Sequence, residues 1–210
     1  MPRTTCPACF RPVAYCYCSR IEKVSNVWPV FILQDVRESR HPIGTARIAA
    51  LSLGHAEMIT LDPDQPGPAA DLLHGAFSRP LRDAALIYPV ENALPSSALP
   101  HCEPAAQAPR DLLFIDASWG RSLRMLKVFP QLSLLPAYAL TGLPVSRYRI
   151  RKQPTTDAVS TLEAIVHTLD LLEPDVDFSG LLRTMDWVVD QQIKRMGDDV
   201  YQNNYGLRQR

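Results

Sequence analysis

The sequence predicts an α/β protein: a mostly parallel β-sheet flanked by helices, with a small cysteine-rich knuckle in front. Three observations carry this. Short, continuously apolar runs such as Val27–Leu33 (VWPVFIL), Ala84–Tyr88 (AALIY) and Leu112–Ile115 (LLFI) read as strands covered on both faces. Helix-like segments separate them, the alternation that builds a parallel sheet. Four cysteines crowd into CPACFRPVAYCYC, ahead of every other element.

Taken in order, the knuckle comes first. Cys6, Cys9, Cys16 and Cys18 have the spacing C-x2-C-x6-C-x-C. Two close pairs joined by a short loop place four thiolates around one tetrahedral Zn²⁺. So short a segment has no core of its own, so a structural zinc is expected to supply its folding energy. A closed four-cysteine site leaves no open position, and no catalytic role is assigned to it. Residues 1–25 are read as this knuckle and residues 26–210 as the main domain.

In Val27–Leu33, Pro29 marks either a sheet edge or a strand start. Ile43–Leu53 reads as a short helix, Glu57–Leu61 as a strand and Asp71–Phe77 as a helix. Ala84–Tyr88, Leu112–Ile115 and Ala137–Leu140 are the remaining strands. The Pro/Ala-rich stretch 95–110 reads as an exposed loop, and its Cys102 as incidental. Ser160-Thr-Leu-Glu163 is a capping-box pattern. Leu162, Ile165, Val166 and Leu169 then form one apolar stripe. Leu182, Met185, Val189 and Ile193 form another, with Gly197 as its stop. The tail VYQNNYGLRQR shows no clear periodicity.

A chain of 210 residues, 46% hydrophobic and 21% charged, fits one sizeable soluble core. No apolar run approaches the roughly 20 residues of a membrane helix. MPRTTCPACF lacks the apolar stretch of a signal peptide, so no membrane partner and a cytoplasmic location are expected. Net charge is zero, but the charge is segregated. Residues 1–50 carry seven Lys/Arg against three Asp/Glu, and residues 111–155 seven against two. Such segregation can give a neutral protein a basic face. Neither a P-loop nor G-x-G-x-x-G is present.

In parallel sheets, ligands bind beyond the carboxyl ends of the strands. Three such ends are chemically notable: Tyr88-Pro-Val-Glu-Asn92, Asp116-Ala-Ser-Trp119, and the loop 141–152. Asp116 is either the cap of the helix that follows or a free acceptor at the sheet edge, with Ser118 then the cap. Trp119 aligns with Leu123 and Leu126 and reads first as a core anchor, second as a stacking surface. SRYRIRK alternates Arg147, Arg149 and Arg151 with Tyr148 and Ile150. It reads either as a strand that packs one face and presents the other, with Lys152, to phosphates, or as an edge strand guarded by its charges against aggregation. Arg121, Arg124 and Lys127 follow Asp116 on a helix and extend the same patch. In His41-Pro-Ile-Gly-Thr-Ala-Arg47, Thr45 is a candidate cap and Arg47 projects from the first turn.

The knuckle, HPIGTAR, LIYPVENA, IDASW, YRIRKQP and STLEA occur in the order seen in the DTW-domain family, which the chain resembles over nearly its whole length. The family's D-G-T-W stands here as D-A-S-W, and Gly44 where an Asn is usual. These proteins are tRNA-uridine aminocarboxypropyltransferases. The resemblance implies a SPOUT-like fold with a knotted C-terminal part. It also implies S-adenosylmethionine as donor of a 3-amino-3-carboxypropyl group, N3 of a tRNA uridine as acceptor, and 5′-methylthioadenosine as the other product. It puts the catalytic set at Asp116, Ser118 and Trp119. The donor would meet Pro89, Val90, Glu91, Asn92, Asp116, Leu140, Tyr148 and Arg149. The tRNA would meet Thr45, Arg47, Arg121, Arg124, Arg147, Arg151 and Lys152. The alternatives are a SPOUT-like RNA methyltransferase with the same donor and a non-catalytic, zinc-dependent RNA-binding protein. Monomer and homodimer both stay open.

Overall fold

The longest apolar runs take the middle of the sheet. Strand β1 (Val30–Asp35) lies beside β5 (Leu112–Asp116), and every residue of both is buried. This computed structural model describes residues 4–39, 41, 44–65, 76–81, 83–99, 111–150 and 158–205. The other described strands are β2 (Ala56–Leu61), β3 (Ala85–Ile87), β4 (Leu94–Pro95) and β6 (Ala137–Ala139). Their order is β2-β1-β5-β3-β6-β4, and every adjacent pair is parallel. The mostly parallel sheet expected from the apolar runs is therefore present. All six strands point their carboxyl ends to one edge.

The described α-helices are α1 (Val36–Ser39), α2 (Ala46–Ser52), α3 (Trp119–Val128), α4 (Thr161–Leu172), α5 (Ser179–Met196) and α6 (Asp198–Tyr205). Side chains alternate along each strand, so the sheet feeds two cores. Val30, Ile32, Ala85, Ile87, Leu112 and Phe114 face α2, α4, α5 and the knuckle. Phe31, Leu33, Leu86, Tyr88, Leu113 and Ile115 face Met125 of α3, Phe129 and Leu132. Cys9 and Tyr17 of the knuckle belong to the first core.

Several expectations are corrected. Of the two readings of Pro29, the strand start holds and the sheet edge does not: it directly precedes β1, and its carbonyl accepts from Leu112 N–H at 2.9 Å. Residues 94–95 form a strand that takes in Pro95, the first residue of the stretch read as loop, because the turn after β3 brings them beside β6. The expected helix Asp71–Phe77 lies almost wholly outside the described residues, as does Cys102. The tail contains α6, whose Tyr201 packs into the first core. The short helix is Ala46–Ser52, within the wider range expected.

The run Ser146–Ile150 forms no strand pairing. It is a turn tied down by side chains. Glu163 carries it: its carboxylate accepts from Ser146 Oγ at 2.8 Å, Arg147 N–H at 2.6 Å and Ser160 N–H at 2.7 Å. The last of these completes the capping box at the start of α4, where Ser160 Oγ accepts from Glu163 N–H. Glu163→Ala strips three donors of their acceptor at a buried site. It should lower stability by about 3 kcal/mol, readable as a shift of the urea midpoint with an unchanged slope.

Candidate active site and metal centre

Asp116 ends the central strand β5, directly across from Gln34 of β1 in the sheet register. It is buried, 4% exposed. Gln34 Nε2 donates to Oδ2 at 2.8 Å, and Thr161 Oγ1 donates to Oδ1 at 2.8 Å. Thr161 is the first residue of α4, where the helix gathers partial positive charge. A carboxylate with one side-chain donor on each oxygen is held in orientation. Gln34 and Thr161 were not foreseen from the sequence, because their role exists only once β1 and α4 flank β5.

Ser118 occupies the cap position of α3. Its carbonyl accepts from Arg121 and Ser122 N–H at 2.9 and 2.8 Å, but its hydroxyl makes no capping bond. Trp119 is 47% exposed, which overturns its reading as a core anchor. The buried stripe of α3 runs instead through Ser122 and Met125, and Leu123 is exposed as well. Trp119 lies against Tyr88, with ring centroids 5.7 Å apart at 31°. The Tyr88 hydroxyl pairs with Ser122 Oγ at 2.6 Å. Burial raises the Tyr88 pKa against the opposing effect of that bond. Trp119 is thus an aromatic surface at the same sheet edge as Asp116, braced from the second core.

The loop after β3 exposes Pro89, Glu91 and Asn92 and half-buries Val90. Leu140, half-buried, follows the adjacent strand β6. These groups therefore share one end of the sheet with Asp116. Tyr148 is 4% exposed and packs into the first core, so its ring is not an open stacking face. Arg147 and Arg149 pair with Asp186 and Asp190 of α5, the second pair at 2.6 Å. Arg121 reaches Asp35 at 2.7 Å, Asp62 at 3.4 Å and also Asp64, and Arg124 meets Asp64 at 2.6 Å. Those acids sit at the ends of β1 and β2, a juxtaposition invisible in sequence. Thr45 is buried at the start of α2 without a capping bond from its hydroxyl. Arg47, half-buried, lies over the Phe10 ring at 4.1 Å. Burial lowers its pKa, opposed by the charges of Tyr17, Cys9 and Asp116. Arg151 and Lys152 lie outside the described residues.

The four cysteines converge. Their sulfurs all lie within 4.8 Å of one another, with Cys6–Cys18 and Cys9–Cys16 both at 3.7 Å. A tetrahedron with Zn–S bonds of about 2.3 Å has edges of about 3.8 Å, so the donor set fits that ion. The turn that brings them together puts Phe10 at φ 58 and closes with Phe10 N–H donating to the Cys6 carbonyl at 2.9 Å. The Cys9 and Ala8 N–H groups hold the Cys6 thiol down to about 6, whereas burial pushes Cys9 and Cys18 up. Among the described residues, no helix is long and apolar enough to cross a membrane.

Comparison with known proteins identifies the family. The DTW domain model matches residues 3–193. The chain is 28% identical over 177 residues to tRNA-uridine aminocarboxypropyltransferase 2 of Drosophila melanogaster, covering 81% of this chain and 67% of that protein. It is 26% identical over 204 residues to tRNA-uridine aminocarboxypropyltransferase A of Arabidopsis thaliana, covering 82% of this chain and 74% of that protein. No solved structure matches. The chain belongs to the DTW-domain family.

Proposed function

We propose that this DTW-domain protein modifies tRNA by transferring the 3-amino-3-carboxypropyl group of S-adenosylmethionine to N3 of a uridine. The observation that carries the reading is Asp116, buried at the exit of the central strand and held by Gln34 and Thr161. The names of its relatives support the reaction class. N3–H is a weak acid, and a fixed carboxylate beside it accepts its proton or aligns the base. The N3–Cγ bond forms as the Cγ–S bond breaks. The sulfur keeps the electron pair and leaves as the thioether 5′-methylthioadenosine. Methyl transfer is intrinsically easier, so the site must align Cγ, not the methyl, with N3. N3 lies on the Watson–Crick edge, so the uridine enters unpaired or extruded.

The donor would lie against Pro89, Val90, Glu91, Asn92 and Leu140, with Trp119 beside it and Ser118 ending the strand-to-helix turn. Arg149, by exchanging Asp190 for the donor carboxylate, would hold that end. Thr45, Arg47, Arg124 and Arg147, with Arg151 and Lys152, remain the proposed tRNA contacts, and Arg121 braces them from its aspartate cluster. The knuckle holds a structural Zn²⁺. A SPOUT-like fold with a C-terminal knot and a cytoplasmic location belong to the same reading.

The test is incubation with unmodified tRNA and S-adenosylmethionine labelled in either its carboxyl or its methyl group. Carboxyl label is expected in the RNA and methyl label in the released thioether. Methyl label in the RNA would overturn the proposal in favour of a methyltransferase. Absence of donor binding by calorimetry would leave a non-catalytic RNA-binding protein.

A further inference from the structure

Apart from Arg20, which lies over the Trp187 ring of α5 at 4.7 Å, the described arginines sort into two groups. Arg37, Arg79, Arg121, Arg124, Arg147, Arg149 and Arg183 each meet a carboxylate. Arg11, Arg47 and Arg195 meet none among the described residues. Each lies instead over an aromatic ring of the knuckle: Arg11 over Tyr17 at 6.0 Å, Arg47 over Phe10 at 4.1 Å, Arg195 over Tyr15 at 4.1 Å. A ring steadies the guanidinium plane and leaves the N–H edges unused.

All three line one cavity of about 540 Å³, between the knuckle, the end of β1 and the last turns of α5. Arg11 is only 5% exposed, and its Nε and Nη1 find no acceptor among the described residues. A buried cation left without acceptors is costly, so a ligand oxyanion is its natural complement. Gln34 lines the same cavity. Its Nε2 donates to Asp116, which fixes the amide orientation and leaves buried Oε1 without a donor among the described residues. The cavity thus offers a cluster of charged donors and, on Gln34, an acceptor with no donor of its own among the described residues. Glu38 adds a carboxylate at its wall. An isolated inorganic oxyanion would leave the Gln34 acceptor unused. A nucleotide brings both an oxyanion and N–H or O–H groups.

We propose that this cavity is a nucleotide-phosphate site, in which Arg11, Arg47 and Arg195 grip an RNA phosphate and Gln34 Oε1 accepts an N–H or O–H of the same nucleotide. The proposal rests on the RNA-substrate reading given above and makes the knuckle part of the RNA grip. Sheet order supports RNA over the donor. Asp116 of β5 has the cavity on its β1 side, whereas the loops after β3 and β6 lie on its other side. Three guanidiniums also exceed what one donor carboxylate requires.

The test uses the full-length, zinc-loaded protein and the variants Arg11→Met and Arg195→Gln. Binding of unmodified tRNA is measured by anisotropy between about 50 and 200 mM salt, and of 5′-UMP and S-adenosylmethionine by calorimetry. Each variant should weaken tRNA binding roughly tenfold and reduce the log–log salt slope by about one. UMP binding should weaken in parallel, while donor affinity, zinc content and melting temperature hold. Unchanged tRNA affinity and slope in folded variants would overturn the proposal, and so would loss of donor affinity with RNA binding intact. Loss of UMP binding alone would also overturn it, in favour of a free nucleotide. Should Arg11→Met not fold, the exposed Arg195→Gln decides. RNA that binds through these arginines yet receives no label would sink the transfer reaction and leave this site standing.

Discussion

Asp116→Asn is expected to lower turnover by roughly 10²–10⁴-fold while leaving the fold and both ligand affinities near normal. The physical basis is the pair of donors on its oxygens. Asparagine keeps one acceptor for Gln34 Nε2, and the Thr161 hydroxyl can rotate to accept from the new amide. The hydrogen bonds survive, but the carboxylate is gone. Single-turnover transfer of the carboxyl label, read beside thermal melting, checks this. A variant that melts early, with turnover lost only in proportion to unfolded protein, would reduce Asp116 to a structural link between β1, β5 and α4.

Metal removal should have the other large effect. Purified protein is expected to hold one Zn²⁺ per chain, and a chelator should release it with loss of order in the knuckle. The consequence reaches further than residues 4–21, because Cys9 and Tyr17 are packed into the first core and Thr184 of α5 donates to the Arg20 carbonyl at 2.9 Å. Loss of these contacts, on the order of 3 kcal/mol, lowers the melting temperature by roughly 6–12 °C. Cys9→Ser should do the same without chelator. Protons compete with the metal for thiolates, so zinc retention should fall as pH falls. Occupancy under about half with four free thiols would count against the metal centre.

If both results hold, knuckle and carboxylate are parts of one apparatus. The rings of Phe10, Tyr15 and Tyr17 orient three arginines around a cavity whose inner wall is Gln34, the partner of Asp116. Removing zinc should therefore weaken RNA binding as well as stability.

Sequence by itself determined what depends on neighbours in the chain. Unbroken apolar runs dictated buried parallel strands, cysteine spacing dictated the four-thiol cluster, and Ser160 with Glu163 dictated the start of α4. Each of these signals acts within a few residues, where spacing and side-chain type set the energy. Tertiary structure alone decided which polar groups are occupied. Arg121, Arg147 and Arg149 look like free cations in sequence, yet they lie against Asp35, Asp186 and Asp190, up to 86 residues away. Arg11, in a loop between cysteines, looks incidental but is buried without a hydrogen-bond acceptor among the described residues. Trp119 looks like core and is half-exposed, because the phase of α3 is set by the face its later turns bury. Asp116 carried both readings in sequence. Its neighbours across the sheet and on α4 give it two donors, because pairing across strands and helix ends obeys three-dimensional proximity and leaves no mark at fixed spacing along the chain.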